Sequence, residues 1–158
     1  MKAEEQITAP RLWMVLAKAH RSIVGCIEGR LAEQGLGLSD FAVLEVLLHK
    51  GPQTISAIGE KVLLASASMT SAIDRLEKRG LVARKTCDKD RRVRYVDLTA
   101  SGRELIGTIY AAHERDLDFL VDGLSGDERR GLYDGLKKIG FAAKGAWKEK
   151  YADDSQEQ

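Results

Sequence analysis

The chain has 158 residues, 44% of them hydrophobic, a net charge of +1, three histidines and two cysteines. That length suits one domain with a real core, and the absence of CxxC or Cys/His ligand spacing excludes a disulfide scaffold and a zinc module, so no metal and no cofactor are expected. No run approaches the ~18 apolar residues of a membrane span and no leader pattern opens the chain, so no membrane partner and a reducing cytoplasm are expected.

Residues 1–8 are polar. From Pro10 to about Gln34 runs one long helical pattern, with Leu12, Leu16, Ala19, Ile23, Ile27 and Leu31 in line and Trp13, His20 and Val24 widening the stripe. A face this broad on an N-terminal helix suits burial against a partner chain. Gly35-Leu-Gly37 breaks the pattern, and Ser39 is placed to cap the next helix, Asp40 to Lys50. Phe41, Val43, Leu44, Val46, Leu47 and Leu48 make that helix apolar nearly all round, so it belongs in the core. Gly51-Pro52 stops it, and Thr54 caps the helix that follows.

The stretch from Thr54 to Thr99 holds the organising signal. Ile55, Ile58 and Val62 share one helical face, and Met69, Ala72, Ile73 and Leu76 share another. Arg79-Gly80 ends the second helix. Leu81–Arg84 and Val93–Leu98 are predicted strands, with Val93, Tyr95 and Asp97 on one face of the second and Arg94, Val96 and Leu98 on the other. The loop between them, Cys87-Asp-Lys-Asp-Arg-Arg92, has almost no apolar content. Helix, turn, helix and charged hairpin make a winged helix, so the predicted fold is mainly α with a small β-hairpin wing.

Downstream, Thr99 is placed to cap a long helix to about Asp122, and Ser125-Gly-Asp-Glu128 reads as a capping box opening a last helix towards Trp147. Residues 152–158 are polar.

Charge is unevenly spread. Thr54 to Thr99 holds ten Lys and Arg against six Asp and Glu, a net +4, which leaves 15 against 18 elsewhere, or −3. A basic island on a slightly acidic body suits contact with a polyanion. With Met69, Ala72, Ile73 and Leu76 turned inward, Thr70, Ser71, Asp74, Arg75 and Lys78 point outward, and Ser68 sits near the helix start. Short hydroxyl side chains permit close approach to a major groove, and free N–H groups at a helix start meet phosphates. Arg75 has the reach for a base edge or phosphate. Asp74 suits either a cytosine amine or an i+4 pair with Lys78. In the hairpin loop, Arg91 and Arg92 suit a minor groove, with Asp90 able to orient a guanidinium.

The run from Leu44 to Thr99 resembles the MarR family of bacterial winged-helix repressors. Met69-Thr70, Asp74-Arg75-Leu76-Glu77-Lys-Arg-Gly80-Leu-Val-Ala-Arg84, Asp90-Arg-Arg92 and Val96-Asp-Leu98-Thr99 with Gly102 carry the resemblance. It implies one domain over 1–158, with a winged helix-turn-helix at 39–99 and dimerisation helices at 9–34 and 100–150. It implies a homodimer on double-stranded DNA at a near-palindromic operator, with Ser68, Thr70, Ser71 and Arg75 as groove and phosphate contacts and Arg92 as the minor-groove arginine. It further implies release by a small aromatic or anionic effector, for which Trp13, His20, Arg21, Tyr110 and His113 are the residue types at hand.

Two other functions are weighed against this one. A winged-helix protein–protein module would present an apolar outer face where this chain has Thr, Ser and Arg. Redox sensing would rest on Cys26 or Cys87. Cys26 is expected on or near an apolar face with only Arg30 as a cationic neighbour, which keeps a thiol inert; Cys87 is expected to be more exposed but has no resolving partner. No Gly-rich phosphate loop, nucleophile elbow or carboxylate pair supports an enzyme.

Overall fold

The computed structural model describes residues 7–62, 66–86 and 94–151, the side chains of 66–68 and 146–151 excepted. Among the described residues, six helices and three strands follow in the order α1 (Ala9–Glu33), α2 (Leu38–Lys50), β1 (Gln53–Thr54), α3 (Ile55–Lys61), α4 (Ser66–Lys78), β2 (Val82–Thr86), β3 (Arg94–Leu98), α5 (Ala100–Val121) and α6 (Gly126–Tyr151). The chain divides into two compact units, residues 1–113 and 114–158, where its length predicts one domain; the division falls within α5. No helix among the described residues is long and apolar enough to cross a membrane.

Helix boundaries follow local chemistry. Pro10 occupies the first turn of α1, where its missing N–H costs nothing. α1 ends in a left-handed glycine, Gly35 (φ 64°), with Leu36 N–H donating to Leu31 O and Gly35 N–H to Ala32 O, both at 3.0 Å. This is a Schellman stop, and Leu31 and Leu36 are both buried against the core. α4 ends the same way at Gly80 (φ 68°), with Leu81 N–H on Leu76 O and Gly80 N–H on Glu77 O, both at 2.9 Å.

One expected cap is corrected. α2 begins at Leu38 with Gly37 as its cap residue, so Ser39 lies inside the first turn. The Asp40 carboxylate takes the capping role by accepting the Gly37 N–H at 3.2 Å. An acid at the third position reaches back to the cap and also meets the positive end of the helix dipole. The other local caps form as expected. Ala57 N–H donates to Thr54 Oγ1 at 3.2 Å, Gly102 N–H to Thr99 Oγ1 at 3.0 Å, and Ser125 N–H to Glu128 Oε2 at 2.8 Å. The Ser125 hydroxyl and N–H hold the Glu128 carboxyl below its usual pKa. Thr54→Ala is expected to lower stability by about 1 kcal/mol, the usual worth of a hydroxyl cap, read as a shift in denaturant midpoint without a change in slope.

The core belongs to the first unit. Val43, Leu44 and Leu47 of α2, Ile58 of α3, Met69, Ala72, Ile73 and Leu76 of α4, Val82 and Val96 of the sheet and Ile106 of α5 are all fully or almost fully buried. The antiparallel sheet has the order β1-β3-β2, with Thr54 opposite Tyr95 and Arg84 opposite Val96. Its alternation falls as predicted, with Val96 and Leu98 buried and Tyr95 and Asp97 half-buried; Arg94, on the face of Val96 and Leu98, is exposed, and Val93 lies outside the described residues. β1 was invisible to periodicity because two residues carry no pattern. In contrast, α1 buries only Leu31 along its 25 residues, with Ile27 packed half-buried against the core.

Candidate nucleic-acid interface

α4 sorts its residues into an inner and an outer side. Met69, Ala72, Ile73 and Leu76 are at most 1% exposed, while Thr70, Ser71, Asp74, Arg75 and Lys78 are exposed. Inward burial of four apolar side chains fixes the helix's rotation and leaves the hydroxyls of Thr70 and Ser71 on the outside. The Ser68 side chain lies outside the described residues, as do Asp90, Arg91, Arg92 and Cys87. β2 and β3 lead into that segment through the pair Thr86 and Arg94.

Asp74, Arg75 and Glu77 of α4 are engaged within the fold, which corrects the expected partner of Asp74. Arg75 is exposed on the outer side of α4, and its guanidinium also donates to Asp40 Oδ1 at 2.7 Å and lies 3.5 Å from Ser39 Oγ. Half of the Arg75 side chain remains exposed, whereas the Asp40 side chain is 8% exposed. The carboxylate is the desolvated member of the pair and needs the cation more than the cation needs it. Asp74 does not pair with Lys78. It accepts from Arg84 of β2, which also pairs with Glu77. The hydrogen bond to Asp74, with Glu77 adding to it, holds the Arg84 guanidinium above its ordinary pKa. The strand that begins the wing is thereby tied to the helix that carries the reading face.

Further ties fix both ends of the α4–β2 turn. Arg79 donates to Gly35 O at 2.7 Å and Gln34 O at 3.1 Å, the last carbonyls of the α1 end. Thr99 Oγ1 donates to Gly80 O at 2.7 Å, and Ser101 Oγ to the same oxygen at 3.1 Å. Sequence reasoning missed Asp40 and Arg79. The signal available for Asp40 was an acid in the first turn of a helix otherwise apolar all round.

The expected effector residues separate. His20 and His113 line one cavity of about 480 Å³, with Val24, Ile27 and Phe41 as apolar wall and Lys61 as a cation. The His113 ring sits edge-on to Phe41, with centroids 5.0 Å apart. Tyr110 does not line this cavity; its ring packs edge-on against His49, with centroids 4.6 Å apart. Trp13 and Arg21 lie instead along an open groove lined only by α1 residues, and Trp13 is 67% exposed. Lys61, Phe41 and Glu45 are cavity residues that the sequence did not single out. Cys26 is exposed, not buried as expected, because α1 is so little covered by its own chain.

Residues 36–93 match the MarR family. The chain is 39% identical over 134 residues to the HTH-type transcriptional regulator MhqR of Bacillus subtilis, covering 85% of this chain and 92% of that one. Its fold is similar to that of Streptococcus pneumoniae FabT, solved in complex with DNA (TM-score 0.76, 19% identity, 88% of this chain and 99% of that one). It is also similar to Bordetella bronchiseptica BpsR, whose DNA binding is regulated by 6-hydroxynicotinic acid (TM-score 0.73, 24% identity, 89% and 96%). With a helix-turn-helix and wing strands in place and identity running through nearly the whole chain, this protein belongs to the MarR family and is a DNA-binding transcriptional regulator, not an enzyme.

Proposed function

We propose that the protein is a homodimeric repressor that holds a near-palindromic operator in the cytoplasm and releases it when a small aromatic or anionic ligand binds. One observation carries the reading: α4 buries four apolar side chains and turns Thr70 and Ser71 outward, with Lys78 exposed on the same helix. Ser68, Thr70, Ser71, Arg75 and Lys78 are the groove and phosphate contacts. Arg92, flanked by Asp90 and Arg91, is the minor-groove arginine by the family's wing motif. A two-fold dimer places its two reading helices on half-sites about one helical turn apart.

The cavity beside His20, Lys61 and His113 supports the ligand half of the reading. Apolar walls with a few convergent basic groups suit a flat ring bearing a carboxylate or phenolate. 6-Hydroxynicotinic acid combines those two features and is the first compound to try.

Selection of genomic fragments by the purified protein tests the operator. An inverted repeat shared by the recovered fragments supports the reading, and recovery without sequence preference overturns it. Arg92→Ala is expected to weaken binding to the selected operator by about 1–3 kcal/mol in a fluorescence titration while leaving the dimer intact. Unchanged affinity would remove the wing arginine from the mechanism.

A further inference from the structure

Arg75 and Arg79 are four positions apart, so their side chains leave the same side of α4. Both end on one short segment, the elbow between α1 and α2. Arg79 binds the carbonyls of Gln34 and Gly35, where α1 stops, and Arg75 binds Asp40 and approaches Ser39, where α2 starts. The Asp40 carboxylate also accepts the Gly37 N–H, so it braces the elbow from within while receiving the guanidinium from outside. The elbow is thus gripped at both ends by the helix whose outer side carries Thr70 and Ser71.

We propose that this elbow is a positioning element for operator reading, and that Asp40 is its central residue. Asp40 is 5% exposed and negatively charged, so it is not itself a phosphate contact. It acts through Arg75, by fixing the direction in which α4 presents its hydroxyl face. Base-edge hydrogen bonds demand placement within about 0.5 Å, whereas attraction to the phosphate backbone depends on charge and tolerates small tilts. A loosened elbow therefore lowers specific affinity and leaves non-specific affinity alone. This role differs from that of a groove-contacting arginine and from that of a purely stabilising ion pair.

The inference rests on the operator reading above, and the test separates the two. Full-length wild type, Asp40→Asn and Arg79→Met are titrated onto the operator fragment selected by the wild type and onto a random duplex of equal length, each over a range of salt. Asparagine keeps the shape and one acceptor but removes the charge that holds Arg75; methionine keeps the stem of Arg79 and removes its donors. Both variants are expected to bind the operator about tenfold more weakly, a misplacement costing about as much as one mismatched base pair. Affinity for the random duplex and its salt slope are expected to stay at the wild-type value.

Equal loss on both duplexes, or no loss on either, overturns the positioning role. Tighter random-duplex binding by Asp40→Asn with a slope steeper by about one also overturns it, since Asp40 would then be masking a phosphate-binding cation. A random-duplex slope shallower by about one in Arg79→Met overturns it in favour of direct phosphate contact. If Asp40→Asn does not fold, Arg79→Met decides alone, because its site is exposed. If the wild type selects no operator, the operator reading fails; if it selects one and the variants match it, only the positioning role fails.

Discussion

A methyl group added at Gly102 is expected to cost the first unit about 3 kcal/mol or more of folding free energy. An alanine Cβ there would stand 1.9 Å from Leu81 O and 2.8 Å from Leu81 C, which is overlap with backbone and not with a side chain that can rotate away. Leu81 O cannot retreat freely. It accepts the Thr99 N–H at 3.1 Å, and its residue closes the Schellman stop of α4. Relieving the overlap means prising the start of α5 off the α4–β2 turn and loosening those bonds together. Gly107, on the same helix with nothing within 4 Å of an added Cβ, is the control. Gly107→Ala is expected to stabilise by roughly 0.5–1 kcal/mol through helix propensity alone. Denaturant midpoints of the two variants, moving in opposite directions from the wild type, check the account. A Gly102→Ala protein as stable as the wild type would mean that the approach of α5 to Leu81 is not tight.

What the sequence made legible was local or periodic. Burial of Met69, Ala72, Ile73 and Leu76 follows from 100° per residue, and the stop at Gly80 follows from its freedom to take positive φ. The caps at Thr54, Thr99 and Ser125 reach three residues at most. Asp74 was the harder case. An i+4 partner, Lys78, stood in the sequence, but Arg84 on β2 won because the Gly80 turn brings the strand back alongside the helix. The bond from Arg75 to Asp40 spans 35 positions, and no local rule finds it. The same limit explains why a plausible set of effector residue types came apart. Trp13, His20 and Arg21 lie within nine positions on α1, yet only His20 reaches the cavity that His113 also lines. Composition identifies the residue types, but which side of a helix meets which neighbour is a property of the packed core.

Charge placed on the outer face of α1 is expected to separate the protomers and to weaken operator binding by about a hundredfold or more. Leu12 and Ile23 are 47% and 37% exposed, and Trp13, Met14 and Val15, which surround the helix beside Leu12, are each 55% exposed or more. Half of such a side chain left in water forgoes roughly 1 kcal/mol of burial. So much exposed apolar surface on one helix is the mark of a surface made to be covered. On the proposed homodimer reading, a second copy of the same chain covers it with the same residues, as two-fold symmetry requires. Leu12 and Ile23 lie eleven positions apart, three helical turns along nearly the same line. Leu12→Glu with Ile23→Glu therefore sets four like charges across the two-fold interface without touching the first unit's buried residues. Sedimentation at micromolar concentration is expected to show a monomer with wild-type helix content. Its affinity for the operator falls because the second reading helix no longer benefits from the first having bound, whereas each helix still meets its own half-site. Random-duplex binding falls far less, since the basic face of each protomer is unchanged. A doubly charged variant that remains a dimer would place the interface elsewhere. A monomer that bound the operator as tightly as the wild type would show that one reading helix and one wing suffice.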